Sequence, residues 1–185
     1  MVTEWTTHRP ALMAGPWPGH KGVGGTGNVL SALTPSEKKT LNATHAVVTG
    51  GAVLWLSKDR TLRTFDLAGS LGLSPVPVQN VRFCGDVHVF RHGEKWRVAG
   101  AGSNGQCMSA TNASISPLLL LYEADALTIP PSASAWKFVS VLYTGAPGDG
   151  PRMECPTYIP AAEPGGVSVL LFSKTGTNGV CPPGL

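Results

Sequence analysis

Apolar residues in this chain come in short runs, and glycine and proline interrupt them almost everywhere. The 185 residues include 23 Gly and 16 Pro. The apolar stretches AVVTG, AVLWLS, VHVF, PLLLLYEA, FVSVLY and VSVLLFS are each bounded by turn-forming residues. Runs of four to eight residues rich in Val, Leu and aromatics, closed off by Gly and Pro, are strand cores. A helical bundle needs long 3.6-residue periodicity that proline at this density forbids. The chain is therefore expected to be all-β, with many tight turns.

Hairpins are readable in two places. Gly50-Gly51 separates AVVTG from AVLWLS, and His92-Gly93-Glu94 separates a run containing Val87 and Val89 from one containing Trp96 and Val98. Glycine at the centre of a two- or three-residue connection supplies the positive φ that hairpin turns demand. The alternation on either side of the second turn gives one apolar face. PLLLLYEA and WKFVSVLYTG then supply two more strands, separated by a loop rich in Pro and Ser. The Gly/Ser/Asn-rich stretch GSNGQCMSATNAS reads as the loop before them, and Asn28–Leu33 as a strand after a Gly- and Pro-rich opening. Lys58, Asp59, Arg60 and Arg63 read as a solvated outer edge, because charge on an edge strand discourages further pairing.

Length and hydrophobic content suit one domain, 1–185, with an ample core. The formal charge is +3, and the 14 Lys and Arg are scattered along the chain. Nucleic-acid and polybasic-membrane binding both need clustered cations, so neither class of partner is expected. No apolar run approaches the ~18 residues of a membrane span, and MVTEWTTHRP lacks the charged-then-apolar layout of a signal peptide.

The four cysteines, Cys84, Cys107, Cys155 and Cys181, form no CxxC pair and have no His at ligand spacing, so no metal site is expected. They are compatible with buried thiols or with two disulfides in any of three connectivities. His88 and His92 read as surface strand and turn residues. Asn42-Ala43-Thr44 and Asn112-Ala113-Ser114 match the glycosylation acceptor pattern.

The chemistry-bearing stretch is WKFVSVLYTGAPGDGPRMECPTYIPAAEPGGVSVLLFS, in which Glu154-Cys155-Pro156 stands where a loop becomes a strand. This run resembles the glutamate block of the invertase and inulinase group, glycoside hydrolase family 32. Its members carry Glu-Cys-Pro after a Met-Trp-like lead-in and follow it, beyond a turn, with a strand similar to VLLFS. VRFCGDVHVFRHGEKWRVAG is similar to the family's Arg-Asp-Pro block. Aligned on VHVF and GEKW, Asp86 falls on the aspartate, Gly85 on the arginine and Val87 on the proline. Glu4-Trp5, His8-Arg9-Pro10-Ala11-Leu12 and Gly22-Val23 resemble a further upstream segment.

That resemblance implies a five-bladed β-propeller, here a partial propeller of roughly three blades. Carboxylates at the openings of successive innermost strands would converge on one axial pocket. It implies hydrolysis or transfer of terminal β-fructofuranosyl residues of sucrose or a fructan, with retention and no cofactor. Glu154 would be the acid/base and Asp86 the transition-state stabiliser. Gly24, Gly25, Thr26 and Cys155 would lie at the sugar. Gly24, Gly25 and Thr26 replace an aromatic and a serine of the family, and Met153 and Thr157 replace residues around its glutamate. The family's nucleophile block, similar to Asn-Asp-Pro-Asn-Gly, does not occur in these residues, so the chain alone is expected to be inactive. The alternative is a truncated or decayed, non-catalytic sugar-binding fragment. By composition and spacing alone, a jelly roll or sandwich competes with the propeller.

Overall fold

A computed structural model describes residues 28–29, 33–60, 65–105, 116–128, 135–146, 153–159, 161 and 165–174. For residues 28–29, 85–86, 153–158 and 172–174 it describes the backbone alone. Among the described residues ten strands and one helix follow in chain order: β1 (Asn28–Val29), α1 (Pro35–Leu41), β2 (His45–Thr49), β3 (Val53–Ser57), β4 (Asp66–Ser70), β5 (Arg82–His92), β6 (Lys95–Ser103), β7 (Pro117–Ala124), β8 (Lys137–Thr144), β9 (Met153–Ile159) and β10 (Val169–Lys174). The all-β expectation holds.

The strands form three separate antiparallel sheets: β1-β2-β3-β4, β5-β6-β7-β8 and β9-β10. Each strand pairs with its neighbour in sequence, so the two larger sheets are simple meanders. Gly51 (φ 76°) and Gly93 (φ 62°) hold positive φ in the β2–β3 and β5–β6 turns, where a side chain is strained, and Ala52 (φ 58°) follows Gly51 in the same region.

One core joins the first two sheets. Ala46, Val48 and Leu54 of the first meet Val87, Val89, Trp96, Val98, Leu120 and Tyr122 of the second, with Leu41 of α1 among them. Strands β6 and β7 are buried on both faces: Ala99, Ala101, Leu119 and Leu121 are also buried but stand outside that core. With the first sheet and α1 filling one face, the packing of β9 on β5, β6 and β7 accounts for burial of the other. The outer strand β8 alternates in exposure, as an edge strand with one dry side does.

Two elements differ from the sequence reading. Strand β6 runs on to Ser103, through residues that read as loop. Gly100 and Gly102 survive in its interior because larger neighbours fill their space: an added Cβ would lie 2.8 Å from the Phe83 ring at Gly100 and 2.6 Å from Leu120 Cδ1 at Gly102. The second difference is α1, which lies just after the expected strand. Of the expected strand, Asn28–Val29 is strand and Leu33 is buried outside regular structure, while residues 30–32 lie outside the described residues.

Helix α1 has a complete N-terminal cap. The Glu37 amide donates to Thr34 Oγ1 (3.2 Å), the Thr34 amide donates to Glu37 Oε2 (2.8 Å), and Pro35 occupies the first turn. Such a reciprocal box satisfies donors that the helix itself leaves unpaired. Asn42, at φ 49°, closes the other end.

Candidate functional site

The two acids singled out in the sequence lie on strands of different sheets that pack against each other. Asp86 belongs to β5, inside the register break between Phe83 and Val87, and Glu154 is the second residue of β9, opposite Ser173. A break of this kind re-aims the backbone locally and is over-represented beside active sites. Strand β9 lies along β5 and β6. The strand carrying Asp86 starts four residues before it, at Arg82, so Asp86 stands within the strand rather than ahead of it. Cys155 follows Glu154 on β9. Gly24, Gly25 and Thr26 lie outside the described residues, as do the side chains of Asp86, Glu154 and Cys155.

Cys84, two residues from Asp86, is disulfide-bonded. Of the two states that the sequence left open for this cysteine, the thiol is therefore set aside. The bond fixes one end of the register break that contains Asp86.

Three acids whose environments are described, Glu37, Glu123 and Asp125, are held in ion pairs. Glu37 is the most enclosed, at 9% exposure. Arg91 Nη2 donates to both of its oxygens (2.6 and 2.7 Å), and Trp96 Nε1 donates to Oε1. The Arg91 guanidinium sits 4.5 Å above the Trp96 ring, a cation–π contact. Burial pushes the Glu37 carboxyl up, but the Trp96 and Thr34 hydrogen bonds and the Arg91 charge outweigh it and hold it below its ordinary value. Glu123 and Asp125 pair with Lys95, and Glu123 also with Arg97, at the ends of β6 and β7 nearest the β5–β6 turn.

His88 differs from its expected surface position. It is half-buried on β5 beside Phe90, and burial lowers its pKa from the ordinary 6.5. The unfolded chain therefore takes up this proton first as pH falls. The His88 contribution is present in full above about pH 6.5 and is lost as pH drops through the lower, folded value. Melting temperature should fall between pH 7.5 and 5.5, and His88→Phe should flatten that part of the profile. An unchanged slope in the variant would count against this assignment.

Among the described residues no group of three His, Cys, Asp or Glu is placed to hold a metal ion. No described helix is long and apolar enough to cross a membrane. In comparisons with known proteins, no family model matches the chain and no curated protein matches it.

Proposed function

We propose that the chain is part of a retaining glycoside hydrolase of the β-fructofuranosidase type, acting on sucrose or a fructan, with Glu154 as acid/base and Asp86 as transition-state stabiliser. The observation that carries this reading is the placement of β5 and β9: separate sheets, yet packed side by side, each bearing one acid of the two resembling blocks. Retaining enzymes need two carboxyls about 5–5.5 Å apart, and neighbouring strands of adjacent sheets are a scaffold for bringing acids together. Glu154 must be protonated when it meets the leaving oxygen, which burial beside a second carboxylate favours.

The same reading treats the sheets as blades of a propeller. Four-stranded meanders in chain order are what blades are made of, whereas a jelly roll requires Greek-key crossovers. Both larger sheets here have consecutive strand order. The second reading, a sugar-binding fragment without catalysis, is favoured by Gly85, which stands where the family has a rigid bidentate donor.

Calorimetric titration with fructose and sucrose, together with a reducing-sugar assay, tests both. The expected result is saturable fructose binding, weakened about tenfold or more by Asp86→Asn as a charge-assisted hydrogen bond is lost. Sucrose turnover by the 185-residue chain should be absent, since a double displacement needs a nucleophile that these residues do not supply. Supplying a nucleophile block in a longer chain should restore turnover, and Glu154→Gln should then remove it. Turnover surviving that change, or no sugar binding by folded protein, would overturn the proposal.

A further inference from the structure

A cleft of about 440 Å3 opens between the first two sheets, at the start of β5, and its chemistry differs from that of a sugar site. Its walls include Leu73, Pro75, Val76 and Phe83, and no acidic residue is among its described lining. Two lining groups are polar and uncommitted. Arg82 is exposed, and its guanidinium enters no ion pair or hydrogen bond among the described residues. Tyr122 is 1% exposed, and its hydroxyl has no hydrogen-bond partner there either.

The Tyr122 hydroxyl is not one of the fully buried polar atoms left without a partner, so it keeps an open edge on the cleft, and a ligand oxygen there accepts from it in place of water. The Tyr122 ring is held edge-on by Phe83 (6.4 Å, 89°) and Phe138 (5.8 Å, 78°), which fixes the hydroxyl in place. Burial raises its pKa to about 12, so it remains a donor at neutral pH. The volume is within the range of small-molecule sites.

We propose that this cleft binds a small aromatic carboxylate. The ring lies on the apolar wall of Leu73, Val76 and Phe83, the carboxylate meets Arg82, and an oxygen substituent on the ring accepts from Tyr122. A ring is favoured over an open chain because Phe83 offers it an aromatic partner. The cleft takes an anion rather than a cation because Arg82 is the one charged group in its described lining. Nothing in this assignment depends on the fructoside reading.

The test is titration of the full chain with 4-hydroxycinnamate, followed by calorimetry and by amide chemical shifts. Saturable one-to-one binding is expected. Arg82→Gln should weaken it about tenfold, and Tyr122→Phe, which keeps the ring packing, about fivefold. Two further ligands guard against a variant that misfolds. Cinnamate, without the ring hydroxyl, should bind the unmodified protein more weakly and be indifferent to Tyr122→Phe. The corresponding amide should be indifferent to Arg82→Gln. Absence of saturable binding by folded protein overturns the proposal, as does binding that neither substitution nor ligand change affects. Fructose titrated into the same samples reports on the other site, so failure of either reading is seen separately.

Discussion

Replacing Glu37 by alanine is expected to lower the folding free energy by about 3 kcal/mol, the lower end of the cost of breaking a buried ion pair. The lower end applies because Arg91 keeps 23% of its side chain in solvent. Three losses combine. Arg91 is left with its buried Nε already lacking a partner, Trp96 keeps an indole N–H with nothing to donate to, and the cap of α1 is opened. Glu37→Gln retains an acceptor for Trp96 and Thr34 and should lose less. The effect must also depend on pH in one direction. The folded-state pKa of Glu37 lies below the ordinary 4.5. The charged carboxylate therefore contributes fully above about pH 4.5, and that contribution disappears as pH falls through the folded value. Urea denaturation at pH 7 and at pH 3 should show the gap between wild type and Glu37→Ala narrowing in acid. A loss below about 1 kcal/mol at pH 7, within the range of an exposed pair, would mean that the cluster is worth no more than a surface ion pair.

Leu120→Ala should rank beside it, at about 3–4 kcal/mol, because Leu120 is fully buried between two sheets that leave little room to collapse. Its neighbour Gly102 makes the prediction sharper. A methyl at Gly102 would lie 2.6 Å from Leu120 Cδ1 and 3.0 Å from the Arg82 carbonyl oxygen. Gly102→Ala alone should therefore cost about 1–3 kcal/mol by overpacking. In the Leu120→Ala background that cost should shrink, giving a favourable coupling of about 1 kcal/mol. Additive losses in denaturant melts would show that the two positions do not compete for the same space.

Much of the strand pattern was legible because it is local. The turn at Gly93, the alternation of Val87, Val89, Trp96 and Val98, and the apolar run Leu118–Leu121 each carry their own signal within a few residues. Helix α1 was legible too, in Thr34-Pro35-Ser36-Glu37, a capping box with proline just inside it. The strand read from the sequence ended at Leu33, and the box that follows it was passed over. What lay beyond reach was long-range. Glu37 meets Arg91 and Trp96 across separations of 54 and 59 residues, and no local pattern distinguishes a carboxylate with such partners from a solvated one. The extension of β6 was hidden for a related reason. Ala-Gly-Ala-Gly-Ser has the composition of a loop until Phe83 and Leu120, from two other strands, fill the space above its glycines. Asp86 and Glu154 were marked only by the blocks around them. That their strands pack together depends on how whole sheets stack, which residue spacing does not encode.

The meander order of the sheets bears on how the polypeptide is built. Since within each sheet every strand hydrogen-bonds to the strand made just before it, a chain emerging from the ribosome can finish β1 to β4 before β5 appears. Short connections of this kind keep loop-closure costs low and folding fast. The first sheet then waits with one apolar face bare until β5 to β7 arrive to cover it. That interval, rather than the finished protein, is when the nascent chain is most exposed to aggregation and most in need of a chaperone.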